Sequence, residues 1–116
     1  MNAIQRIQPE EVFALPGLHA GVRVGELVGV GDFRAQAEQV FENLGAVLAE
    51  RGSGFDRIMK LSAFFVDISR DLQVYREVRD QYIAAEHAPA STAVQVAKLF
   101  HPSVWIEVEA VAACAP

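Results

Sequence analysis

Residues 105–112, WIEVEAVA, alternate between small or branched apolar side chains and a set that includes two carboxylates. Successive side chains of a strand point to opposite faces, so Ile106 and Val108 share one face while Glu107 and Glu109 share the other. Such a strand belongs to a sheet that buries one side against a core and leaves the other side uncovered. The two carboxylates then face either bulk water or a site, and the remaining chain must fit that sheet.

Length and composition predict one compact domain that spans residues 1–116. The chain has 116 residues, of which 52% are hydrophobic, which suits a single core. No apolar run approaches the roughly 18 residues of a membrane span. The first residues, MNAIQRIQPEEVF, lack the apolar stretch of a signal peptide, so we expect a soluble cytoplasmic protein. The single cysteine, Cys114, excludes an internal disulfide and a cysteine-rich zinc site.

Charge and histidine placement argue against nucleic acid and metal as partners. Ten basic and fifteen acidic residues give a formal net charge of −5. A nucleic-acid footprint usually needs a basic face, so we expect no meaningful ribonuclease activity. His19, His87 and His101 show no i, i+4 pairing, and we expect no metal site. Glycine-rich phosphate loops followed by lysine and G-x-S-x-G nucleophile motifs are also missing from the sequence.

Two helices are predicted from apolar residues at helical spacing. Asp32 is the expected N-cap of the first helix, which Gly52 and Gly54 bring to an end. Its expected inward stripe is Phe33, Ala37, Val40, Phe41, Leu44, Val47 and Leu48. The second helix is expected from about residue 72 to 85, before Pro89. Its inward stripe is Leu72, Tyr75, Val78 and Tyr82.

The segments around these helices have the composition of strands. Residues 20–31 predict one strand or a short hairpin, and residues 58–68 a mostly buried strand. Residues 91–99 and 104–112 predict two further strands that pair with each other across the turn FHPS. The order strand, helix, strand, helix, strand, strand predicts an α+β fold with both helices on one face of a single mixed sheet.

The alternation also predicts which side chains the helices cover. The residues expected to face the helices are Val94, Val96, Ile106 and Val108. The residues expected on the uncovered face are Ser91, Ala93, Gln95, Trp105, Glu107 and Glu109. A bare face with small residues and a tryptophan usually meets a partner chain, so we expect an oligomer with the carboxylates in clefts between subunits.

At this point the sequence resembles a known family. The helix phrase FRAQAEQVFENLGAVLAERGSGFDRIMKLSAFFVDI and the terminal PASTAVQVAKL…WIEVEAVAA are similar to the RidA/YjgF family, the reactive-intermediate deaminases formerly called endoribonuclease L-PSP. The resemblance extends from Leu15 to Ala112. It implies a chorismate-mutase-like α+β fold and a homotrimer whose three inward-facing sheets leave small-molecule pockets between subunits.

The resemblance also implies a chemistry. Deaminase members hydrolyse 2-imino or enamine acids to 2-keto acids and ammonia without a cofactor. In them, the arginine of a Pro-Ala-Arg turn binds the substrate carboxylate, and a glutamate of the last strand helps to hold the attacking water. That glutamate corresponds to Glu107, which we take as the candidate catalytic residue, while the arginine position holds Ser91. The candidate ligand-binding residues are Ser91, Thr92, Ala93, Leu18, which stands at or next to a pocket tyrosine of the family, and Trp105.

Two departures from the family change the expected substrate. Ser91 removes the carboxylate-binding cation, and Ser91 and Thr92 offer single hydrogen bonds to a neutral or differently placed ligand. Lys98 alternates onto the core-side register, where it is expected to snorkel at the strand end. GELVGVGDFR runs almost directly into the first helix, about a dozen residues shorter than the hairpin and loop of the family. Two hypotheses follow: an enamine or imine deaminase with a non-standard substrate, or a non-catalytic trimeric protein that binds small molecules.

Overall fold

The computed structural model describes residues 11–19, 22–23 and 26–114, with side chains described for residues 27–114. The strands are β1 (Glu11–His19), β2 (Val22–Arg23), β3 (Glu26–Leu27), β4 (Ile58–Phe65), β5 (Ala90–Gln95) and β6 (Ile106–Cys114). The helices are α1 (Phe33–Glu50) and α2 (Ile68–Tyr82), and short 3-10 turns cover Phe55–Arg57 and Ala85–His87. No helix in the described part of the chain is both long and apolar enough to cross a membrane.

The main sheet has four strands in the order β1-β6-β4-β5. β4 and β5 are parallel, whereas β6 is antiparallel to both β1 and β4. The predicted α+β class with a mixed sheet is confirmed. The predicted pairing of β5 with β6 is wrong, because β4 lies between them. A helix-containing crossover through α2 makes β5 parallel to β4, and the connection over residues 96–105 returns the chain to the other side of β4.

The beginning of the chain holds a strand that the sequence pattern did not predict. β1 pairs with β6 along its length, with an irregular register between Leu15 and Leu18. Pro16 and Gly17 lie at that irregularity, and their presence weakens any strand signal in the sequence. Of the two alternatives for residues 20–31, one strand or a short hairpin, the hairpin is present, as β2 and β3 pair with each other in a two-stranded sheet.

Carboxylate caps define where both helices begin. The Asp32 carboxylate accepts a hydrogen bond from the Ala35 amide at 3.1 Å, which confirms its predicted role as N-cap. α2 begins at residue 68 and not near 72, because Asp67 caps it by accepting from the Arg70 amide at 3.1 Å. α1 ends just before Gly52, whose φ of 66° suits glycine.

The core lies between the two helices and one face of the main sheet. Aromatic rings dominate it: Tyr75 meets the edge of Phe65 at 5.2 Å between centroids, and Tyr82 stacks on Phe41 at 5.3 Å. Burial raises the pKa of Tyr75 to about 12. The buried apolar residues of α1 are Phe33, Ala37, Val40, Phe41, Leu44 and Leu48, which confirms most of the predicted stripe. Those of β6 are Ile106, Val108, Ala110, Ala112 and Cys114.

Candidate functional site

The sheet face opposite the helices carries Glu107. Cross-strand pairs share a face, and Glu107 pairs with Phe64 while Glu109 pairs with Ser62. Glu107 is half-buried and Glu109 is exposed. We call this surface the uncovered face, and its described members along β4, β5 and β6 include Lys60, Ser62, Phe64, Ala90, Thr92, Val94, Glu107, Glu109 and Val111. The prediction that Glu107 and Glu109 share a face away from the core is confirmed.

The predicted orientation of β5 is wrong. Ser91 pairs with Leu61, and Ala93 pairs with Ala63, both of which are buried beneath the helices. Ser91 and Ala93 therefore lie on the helix side of the sheet, as does Gln95, whose side-chain oxygen accepts from the Ile68 amide at 3.0 Å. Val94, expected in the core, is instead 39% exposed on the uncovered face.

The physical reason for the wrong orientation of β5 is its register with β4. A shift of one residue exchanges the two faces of a strand, and the sequence of β5 does not specify which face is buried. All six residues of this edge strand are exposed, so neither side offers a strong burial signal. Val94, predicted to face the core, therefore lies on the uncovered face, and Val96, predicted likewise, lies beyond the end of β5.

Ser91 and Glu107 consequently do not meet within one chain. They lie on opposite sides of the sheet and on strands separated by β4. Two inter-strand steps alone place their backbones roughly 10 Å apart. A small ligand cannot bridge both side chains of a single copy.

Ser91 instead lines a pocket between the end of α2 and the start of β5. The pocket has a volume of about 440 Å³ and includes Arg79, Asp80, Ile83 and Pro89 in its lining. The Ser91 hydroxyl donates to the Pro89 carbonyl at 3.2 Å. We call this the α2–β5 pocket.

Trp105, a predicted ligand-binding residue, is packed against protein groups. Its indole lies beneath the Arg70 guanidinium, 4.3 Å from the ring centroid, and it contacts the core. Arg70 also forms a two-pronged hydrogen bond with Asp71, at 2.8 and 2.7 Å. This hydrogen bond raises the pKa of the Arg70 guanidinium.

Gln36 fixes the position of the segment that leads into β6, and the sequence analysis missed it. Gln36 is 1% exposed, and its side-chain oxygen accepts from the Trp105 amide at 2.9 Å. The same side-chain amide donates to the carbonyls of Gly29, at 3.0 Å, and Ser103, at 2.9 Å. The sequence feature that could have identified Gln36 is its position on the apolar stripe of α1, three residues after Phe33 and one before Ala37.

Gly29 allows this contact through its backbone. Gly29 has a φ of 75°, and a Cβ there would lie 3.0 Å from the backbone nitrogen of Gln36. Both its conformation and the close approach of α1 therefore require glycine. Gly29 holds the loop before α1 against Gln36, and Gln36 in turn holds the start of β6.

The other predicted site residues lie apart from one another. Leu18 is opposite Val108 in the register of β1 and β6, and its side chain lies outside the described residues. Thr92 is exposed on the uncovered face. Lys98 lies beyond the end of β5 and lines a different hollow of about 420 Å³ with Val66 and His101. The core-side strand register expected for Lys98 is therefore wrong.

Comparison with known proteins identifies the family. The family model described as Endoribonuclease L-PSP matches residues 5–114. A RutC family protein of Synechocystis sp. is 37% identical over 86 residues, which are 74% of this chain and 65% of that protein. The chain belongs to the RidA/YjgF family.

Solved structures support the same assignment. A conserved Rid family protein from Yersinia pestis has a TM-score of 0.78 and 30% identity, covering 87% of this chain and 77% of that one. A YjgF family member from Neisseria meningitidis has a TM-score of 0.77 at 21% identity, covering 90% and 81%, which shows the shared fold. The match to the Synechocystis relative spans just under two thirds of that protein's length.

Proposed function

We propose that this RidA/YjgF protein hydrolyses reactive enamine or imine intermediates to carbonyl compounds and ammonia in the cytoplasm. Glu107 positions the attacking water, and the sites lie in clefts between the subunits of a homotrimer. The observation that carries the proposal is the place of Glu107, half-buried on the uncovered face of a chain that belongs to this family. A carboxylate shielded in part from solvent is suited to accept a hydrogen bond from water beside an imine carbon.

The opposite orientations of Ser91 and Glu107 support sites shared between copies. If both groups act on one ligand, they must come from different subunits, because the sheet separates them within a single chain. Each cleft would then combine an α2–β5 pocket of one subunit with Glu107 of another. This arrangement makes activity depend on assembly.

Ammonia release tests the proposed reaction. Threonine dehydratase would generate 2-iminobutyrate in the reaction mixture, and ammonia release would be measured with and without the protein. We expect the protein to accelerate hydrolysis of this imine or of an enamine that lacks its carboxylate. Intact trimers that accelerate neither would contradict the proposal and favour the non-catalytic binding protein.

The uncovered face is the proposed surface of trimer contact. Phe64 and Val111 are half-buried there and Val94 is 39% exposed, so association would remove apolar surface from water. Val94→Glu should lower the solution mass from three times 12.7 kDa toward the monomer, because a charge would be buried at the contact. Light scattering would measure the mass, with circular dichroism to check folding.

Val30→Glu is the matched control for this experiment. Val30 is 62% exposed in the loop before α1, and the same substitution there should leave the trimer intact. A wild-type mass near that of one chain would contradict the trimer.

A further inference from the structure

The α2–β5 pocket contains a cation that comes from α2, whereas the arginine of the family pattern comes from the start of β5. We propose that Arg79 supplies the carboxylate-binding group that Ser91 lacks, so that a 2-imino acid, the substrate class that the family resemblance implies, has its carboxylate bound from helix α2. This inference rests on the proposed function and names the residue that binds the substrate carboxylate. Of the two kinds of ligand expected from Ser91, neutral or differently placed, the inference selects the second: an acid whose carboxylate binds at a different position.

The guanidinium of Arg79 has donors available for such a ligand. Its Nε and Nη2 atoms both donate to one oxygen of Asp80, at 3.1 and 3.0 Å. This contact uses one side of the guanidinium, while Nη1 and the second hydrogen of Nη2 form another edge. That edge matches the two oxygens of a carboxylate, which arginine commonly binds through two parallel hydrogen bonds.

Burial differs between the two members of this ion pair. The Arg79 side chain is 26% exposed, whereas that of Asp80 is 64% exposed. An ion pair with so exposed a carboxylate contributes little free energy, and an incoming anion can compete with it. Arg79 also lies 6.0 Å from the centroid of the Tyr75 ring, against which its charge is placed.

The remaining walls of the pocket suit a short hydrocarbon chain. Ile83, Ala88 and Pro89 present apolar atoms, and the Ser91 hydroxyl adds one hydrogen-bonding group beside them. A volume of about 440 Å³ accommodates a small metabolite. The combination of one guanidinium, which is paired with the exposed Asp80 carboxylate, one hydroxyl and apolar walls is complementary to a small aliphatic acid that displaces this carboxylate.

The alternative cations are engaged or located elsewhere. Arg70 is bound to Asp71 by two hydrogen bonds, and Lys98 lines the other hollow. Among the residues described as lining the α2–β5 pocket, Arg79 is the one cation. It is therefore the group to which an anion in this pocket would bind.

Direct binding of 2-oxobutyrate, the product acid, tests the inference without turnover. Calorimetry should show that Arg79→Gln weakens binding at least tenfold, since hydrogen bonds to charged groups contribute about 1.5–3 kcal/mol. Asp80→Asn should instead tighten binding severalfold, because it removes the competing carboxylate. A merely structural role of the Arg79–Asp80 pair predicts weaker binding in both variants.

Two further variants complete the experiment. Arg76→Gln changes an exposed arginine on the same helix outside the pocket lining and should leave binding unchanged. Ser91→Arg added to Arg79→Gln should restore binding, because it places a guanidinium at another position in the same pocket lining. The same set would be measured for turnover of 2-iminobutyrate.

The outcomes separate this inference from the proposed function. Turnover that survives Arg79→Gln, with unchanged 2-oxobutyrate binding, overturns the role of Arg79 and leaves the deaminase proposal standing. Arginine-dependent binding without wild-type turnover overturns the deaminase proposal and leaves the anion site standing. Equal weakening by Arg79→Gln and Asp80→Asn overturns the role of Arg79 as a ligand-binding residue.

Discussion

Glu107→Gln should lower imine hydrolysis by roughly 10²- to 10⁴-fold, the range by which positioned acid–base groups accelerate reactions. The amide keeps the size of the side chain but lacks the negative charge that orients and deprotonates water. Because Glu107 lies on β6 between the buried residues Ile106 and Val108, the exchange should preserve the strand. Ammonia release from 2-iminobutyrate generated by threonine dehydratase would measure the effect.

Glu109→Gln is the matched control. Glu109 lies on the same strand and the same face, one alternation further on, and is exposed. We expect it to retain nearly full activity. Equal losses in the two variants would indicate a general effect of charge on the uncovered face and would argue against a specific role of Glu107. Full activity of Glu107→Gln would remove this residue from the mechanism.

Gln36→Met should reduce the free energy of unfolding by roughly 2–4 kcal/mol, because it leaves partly buried polar groups without partners. Methionine preserves the length and helix propensity of glutamine but makes none of its three hydrogen bonds. The Trp105 amide and the carbonyls of Gly29 and Ser103 would lose their contacts with this side chain. Denaturant unfolding followed by circular dichroism would measure the change.

Gln81→Met provides the corresponding surface control. Gln81 is exposed on α2, where the same substitution should change stability by less than about 0.5 kcal/mol. If Gln36→Met were as stable as this control, the three hydrogen bonds would contribute nothing measurable. We also expect Gln36→Met to disturb imine hydrolysis, since Trp105 leads directly into the strand that carries Glu107.

Local signals in the sequence were sufficient for α1 and for the burial pattern of β6, whereas they placed the start of α2 near residue 72 and not at residue 68. Asp32 caps α1 as expected, since a carboxylate three residues ahead of a free amide is a local arrangement. The alternation around Glu107 also predicted its face correctly, because Ile106 and Val108 provide a strong and unambiguous burial signal. Family resemblance added the candidate role of Glu107, which residue spacing alone does not supply.

Which strands pair with each other could not be predicted from local sequence. β5 and β6 are neighbours in the sequence but not in the sheet, because α2 forces β5 alongside β4 in a parallel arrangement. The register of that pair then placed Ser91 on the helix side and Val94 on the uncovered face. A strand whose residues are exposed on both sides carries too little apolar contrast for its sequence to select either face.

The sequence by itself therefore determined the order of helices and strands after residue 20, the capped start of α1 and the apolar side of β6. Only the tertiary structure decided that Ser91 lines a pocket together with Arg79 and lies on the opposite side of the sheet from Glu107. It also decided that a buried glutamine joins α1 to the start of β6. The physical reason is that caps and alternation depend on residues a few positions apart, whereas strand register and pocket walls depend on long-range packing that no short segment encodes.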